Sequence, residues 1–149
     1  MASGLGIVGR RLRVKDRAAL AGASAPMHRI LVVEDEDAVA AGLRLLLEQE
    51  YYVEVAHTGQ EALAKLSSGA AFDAVLCDLM MPGMSGIELF RVLAATSPGL
   101  EEKLVFMTGG AFTPEAEAFL EEIKNPRVEK PFDFASVDQL LRLAATCGR

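Results

Sequence analysis

Five short apolar runs set the terms for how this chain folds: "RILVV" (29–33), "YYVEVA" (51–56), "FDAVLC" (72–77), "KLVFM" (103–107) and "PRVEK" (126–130). The middle runs are almost wholly apolar, so as strands they have no polar face to offer water and need cover on both sides. The segments between them supply it. Val39, Leu43, Leu46 and Leu47 recur at helical spacing, as do Ile87, Phe90 and Ala94, and later Val137, Leu140, Leu141 and Ala144. The punctuation agrees with helix starts. Thr58 with Glu61 and Ser85 with Glu88 read as capping boxes, and Thr113 precedes a proline placed where a helix loses no donor. Five strand–helix units in succession predict an α/β fold with one five-stranded, parallel, doubly wound sheet.

A chain of 149 residues that is 51% hydrophobic can bury a sizeable core as one domain. It has no run near the roughly 18 apolar residues of a membrane span and no apolar stretch behind the basic N-terminus that reads as a secretory signal. Cys77 and Cys147 are isolated thiols without metal-ligand spacing, which suits a reduced, cytoplasmic setting.

The net charge of −6 hides an asymmetry. Residues 1–29 hold six bases against one acid (+5), and residues 30–149 hold nine bases against 20 acids (−11). The acidic body lacks the basic stripe that nucleic acid requires. Residues 1–27 read as a basic, solvated leader or a non-native start, with Met27 just before the first strand, and residues 28–147 as the folded domain. Within the leader, "GLGIVG" (4–9) matches G-x-G-x-x-G, but only three residues precede it, too few for the strand that the dinucleotide fingerprint needs. The acid expected about 20 residues on is also missing, since Asp16 is the only candidate nearby and lies among five bases.

Ligands of such a sheet gather outside the C-terminal ends of its strands. The first strand delivers Glu34 and Asp35 there, the third Asp78, the fourth Thr108 and Gly109, and the fifth Lys130. Three converging carboxylates call for a hard, oxygen-seeking divalent cation such as Mg²⁺. Thr108 and Lys130 suit phosphoryl oxygens, one by hydroxyl and one by charge. Asp78, at the end of the central apolar strand, is then the candidate nucleophile.

Together "ILVVEDED", "VLCDLMMPGMSG", "VFMTGG" and "VEKPF" resemble, in order and spacing, the receiver domain of two-component response regulators, a flavodoxin-like fold. The likeness covers about residues 28–147, and "FMTGGAFTPEA" with "NPRVEKPFD" is more similar to receiver modules of hybrid histidine kinases. The resemblance implies that Asp78 accepts a phosphoryl group from a sensor histidine kinase or a histidine phosphotransfer domain. It implies that Glu34, Asp35, Asp78 and the Met80 backbone carbonyl hold Mg²⁺, and that Thr108, Gly109 and Lys130 meet the phosphoryl group. It further implies a cis Lys130–Pro131 bond, output to a protein target through the fourth helix, fifth strand and fifth helix, and no enzymatic activity beyond self-dephosphorylation. No membrane or nucleic-acid contact is expected of the domain.

Some positions depart from the family. Many members carry an aromatic residue where this chain has Arg127 or Val128, and Glu34 stands where Asp is more frequent. "SGLGIVGRRL" resembles weakly the glycine-rich lid of histidine-kinase ATP domains, the rest of which this sequence lacks. A rival, the aspartyl-phosphate phosphatases, places a general-acid Asp two residues after the nucleophile; that position is Met80, which transfers no proton. A second rival, a flavodoxin-like nucleotide module, needs a phosphate-cradling Gly/Ser loop after its first strand, where this chain has "EDED". Glu36 and Asp37 read as the acidic first turn of a helix. Cys77, Met80, Met81 and Met84 read as packing and loop residues, and His28 and His57 as surface residues at strand ends.

Overall fold

The computed structural model describes residues 27–110 and 113–147, so "GLGIVG" and the rest of residues 1–26 lie outside the described residues. In chain order the elements are β1 (Arg29–Val33), α1 (Asp37–Leu47), β2 (Tyr52–Ala56), α2 (Gly59–Ser67), β3 (Ala74–Asp78), α3 (Gly86–Thr96), a 3₁₀ turn (Leu100–Lys103), β4 (Leu104–Thr108), α4 (Pro114–Glu122), β5 (Arg127–Glu129) and α5 (Phe134–Cys147). All five strands are parallel, in the order β2-β1-β3-β4-β5. The expected doubly wound sheet is present.

Alternation along each strand divides the core into two layers. Ile30 and Val32 of β1, Leu76 of β3 and Met107 of β4 pack with Leu43 and Leu47 of α1 and Val137 and Leu141 of α5. Leu31, Val33, Cys77 and Phe106 point the other way, against residues of α2, α3 and α4 such as Leu66, Leu89 and Phe119. Both faces of β1, β3 and β4 are therefore dry, which is why their sequences carry no polar alternation. Phe106 also meets the rings of Phe90 and Phe119 at 6.4 and 5.7 Å, tying β4 to the helices on that side.

The helix starts largely follow the sequence signals. Ser85 and Glu88 form a complete capping box, and the Thr113 hydroxyl accepts from the Ala116 N–H ahead of Pro114. The second box is displaced: the Thr58 hydroxyl accepts from the Glu61 N–H, but the Glu61 carboxylate takes the N–H of His57, one residue upstream of the cap. In α3 the buried residues are Ile87, Leu89 and Leu93, whereas Phe90 and Ala94 of the expected stripe are only half-buried. Among the described residues no helix is long and apolar enough to cross a membrane.

Two glycines make opposite predictions. At Gly86 an added Cβ would lie 2.7 Å from the Asp78 carbonyl oxygen and 3.0 Å from the Leu79 Cα, so only glycine lets α3 approach the end of β3 this closely. Gly42, within α1, has nothing within 4 Å of the same atom. Thermal denaturation should show Gly86→Ala losing about 1–3 kcal/mol, as overpacking costs. Gly42→Ala should gain about 0.5–1 kcal/mol from helix propensity. Equal shifts of one sign would show that the close approach at Gly86 is not tight.

Candidate functional site

The connections from β1 and β3 run to opposite sides of the sheet, which opens a crevice between the C-terminal ends of these two strands. The predicted residues lie along this edge of the sheet, and Glu34, Asp35, Asp78 and Lys130 meet at the crevice. Glu34 and Asp35 leave the end of β1, Asp78 is the last residue of β3, Thr108 the last of β4, and Lys130 follows β5 directly. Parallel pairing puts these ends in register: Val33 lies opposite Cys77, Asp78 opposite Met107, and Thr108 opposite Glu129.

Lys130 bridges the carboxylates. Its Nζ lies 3.2 Å from Glu34 Oε1 and 3.5 Å from Asp78 Oδ2. Glu34 is fully buried, and its second oxygen accepts from the Glu36 N–H at 3.1 Å. Asp78 is 8% exposed, with Oδ1 accepting from the Met80 N–H at 3.2 Å. One carboxylate oxygen each from Glu34, Asp35 and Asp78 lies within 4.8 Å of the others. Donors that are all oxygen, at that spacing, fit a hard divalent cation.

The electrostatics follow from burial. Burial raises the Glu34 and Asp78 carboxyls above their ordinary values, and hydrogen bonds with the Lys130 charge only partly offset it. Burial also works against the Lys130 ammonium, but attraction to Asp78 and Glu34 outweighs it and holds that group above its ordinary value. Carrying both charges at once is therefore unfavourable for these buried carboxylates even with Lys130 between them.

Other expected residues take clear places. The Lys130–Pro131 bond is cis. Thr108 is buried, with its hydroxyl donating to the Val128 carbonyl at 3.5 Å rather than to the Asp78–Lys130 cluster. Gly109 is exposed at the rim, as is Met80 at 48%, while Met81 packs into the core. Cys77 is buried, burial pushes its thiol up, and that thiol donates to the Asp78 carbonyl. His28 and His57 sit beside Asp73 and Asp37 rather than against the carboxylates of Glu34, Asp35 and Asp78. Glu36 caps no helix with its side chain and serves the site through its N–H alone, a role no side-chain motif announces.

Comparison with known proteins is consistent with this geometry. The pattern of the response regulator receiver domain matches residues 30–142. The chain is 35% identical over 128 residues to the transcriptional regulatory protein FixJ of Azorhizobium caulinodans, covering 85% of this chain and 56% of that protein. It is 37% identical over 122 residues to the response regulator MprA of Mycobacterium ulcerans, covering 81% and 50%. The chain thus spans about half the length of these curated relatives. A response regulator receiver domain protein from Clostridium thermocellum superposes with a TM-score of 0.71 at 23% identity, over 80% of this chain and 94% of the other. The receiver domain of the sensor histidine kinase PA1611 from Pseudomonas aeruginosa, with a magnesium ion in its active site cleft, gives 0.69 at 23%, over 80% and 98%. At these identities the two structures show a shared fold.

Proposed function

The chain belongs to the response regulator receiver domain family, the phosphoacceptor switch of two-component systems, and from that premise we propose that Asp78 carries the phosphoryl group. The observation behind this reading is the Asp78 carboxylate itself: nearly buried, at a strand end, and held between Lys130 and the Met80 N–H. An Asp78 oxygen attacks the phosphorus of a phosphohistidine, the new O–P bond forms as the N–P bond breaks, and the imidazole leaves with the electron pair. Lys130 pairs with a phosphoryl oxygen. The Thr108 hydroxyl and Gly109 N–H supply further donors once Thr108 turns from Val128. Glu34, Asp35, Asp78 and the Met80 carbonyl would hold Mg²⁺, which would offset the negative charge of the carboxylates and of an incoming phosphoryl group.

In this reading residues 28–147 are the functional unit, working in the cytoplasm. The donor is a sensor histidine kinase or a histidine phosphotransfer domain, and output passes by protein contact. Incubation with a small phosphodonor and Mg²⁺ should add one phosphoryl mass to the intact protein, and EDTA should prevent it. An unchanged mass with the metal present would overturn the proposal.

Self-dephosphorylation follows from the same site. Water must reach the phosphorus in line, and the exposed Met80 side chain beside Asp78 offers bulk and only a weak acceptor to position it. Met80→Asn should therefore speed decay of the phosphorylated mass by about 3–10-fold, or roughly 0.7–1.4 kcal/mol of barrier. Decay at the wild-type rate or slower would show that Met80 does not control water access.

A further inference from the structure

A groove of about 620 Å³ opens at the edge of the sheet opposite the phosphoacceptor. Phe90, Ile123, Pro126 and the 57%-exposed Leu143 give it an apolar lining, while Glu101, Glu102 and Glu122 outnumber Lys124 on its rim. Among the described residues no ion pair engages these three glutamates, and Glu101 Oε1 accepts only from the Gly99 N–H at 2.7 Å. The 3₁₀ turn bearing two of them is held in place by the Asn125 amide, which donates to the Glu101 and Leu104 carbonyls at 2.7 and 2.9 Å. An apolar floor behind an acidic rim suits a segment that is both basic and apolar.

This chain carries such a segment. Residues 1–26 hold five bases (Arg10, Arg11, Arg13, Lys15 and Arg17) against one acid, interspersed with Leu5, Ile7, Val8, Leu12, Val14 and Leu20. Because all strands are parallel, β1 begins at the same edge of the sheet as β4 and β5, the edge where the groove lies. β4 lies two strands from β1, about 10 Å away. A chain spans up to about 3.3 Å per residue, so a few residues before Met27 bridge that distance. We propose that the basic leader docks in this groove of its own chain, with its bases on the glutamate rim and apolar side chains on the floor.

Limited trypsin digestion of the full chain tests this, because every leader base is a cleavage point and the rate follows the undocked fraction. Mass spectrometry should show the leader cut roughly tenfold more slowly in wild type than in Glu101→Gln/Glu102→Gln/Glu122→Gln, with the gap shrinking in 1 M salt. Leu143→Ser, at an exposed position, should also speed cleavage, and tenfold dilution should change nothing. Equal cleavage of wild type and both variants would overturn the proposal. So would protection that fades on dilution, since it would place the leader on a second copy.

Discussion

Asp78→Asn should take up no phosphoryl group and should melt higher than wild type in metal-free buffer. The first effect follows from chemistry: a carboxamide has no anionic oxygen to attack phosphorus, and no other strand-end acid stands where Asp78 does. The second follows from electrostatics. Asp78 is 8% exposed, and its carboxyl is raised chiefly by burial, so its ionised form is less favourable folded than unfolded at neutral pH. The amide removes that cost and keeps an oxygen to accept the Met80 N–H. The gain should be on the order of 1 kcal/mol, the usual trade of activity against stability at a functional site. Intact mass and thermal denaturation read the two effects separately. A variant that is phosphorylated as wild type, or that melts lower, would contradict the reading.

Lys130→Ala should do the reverse for stability and still damage function. The ammonium lies 3.2 Å from Glu34 and 3.5 Å from Asp78, and Glu34 is fully buried. Without it, a buried carboxylate loses its charged partner, which costs about 1–3 kcal/mol once the partial exposure of Lys130 is allowed for. Phosphoryl transfer should slow by roughly 10²–10³-fold, the usual loss when one donor to developing charge is removed. Opposite signs for the two single variants mark the site as a charge balance rather than a packing unit. In a double-mutant cycle Asp78→Asn should lessen the loss from Lys130→Ala, because one of the two carboxylates is then neutral. Additive changes would place the role of Lys130 elsewhere.

The parts of this account legible in the sequence are those set by local chemistry. Dry strands announce themselves by unbroken apolar runs, so β1, β3 and β4 fall within a residue or two of expectation. Strand ends with acids, Thr108 and Lys130 follow from the topology that those runs imply. What was not legible depends on contacts far apart in sequence. "PRVEK" became a three-residue strand because Pro126 has no N–H for the ladder and only its carbonyl serves β4. Helix α3 buries Leu89 and Leu93 because they share the core layer of Val75, Cys77, Leu104 and Phe106, neighbours that lie on other strands and that a local stripe does not specify. The grip of Glu34 on Lys130 spans 96 positions, and the Thr108 hydroxyl chose a carbonyl on the neighbouring strand. Both are choices of tertiary geometry.

If one oxygen of Asp78 carries the phosphoryl group, chemical trapping will find it there. Borohydride reduces an acyl phosphate to an alcohol, which turns a phosphorylated aspartate into homoserine. After phosphorylation in Mg²⁺ and reduction, peptide mass spectrometry should find homoserine at position 78 and unmodified carboxylates at Glu34 and Asp35. Homoserine at another aspartate, or a phosphoryl mass that survives borohydride unchanged, would contradict this assignment.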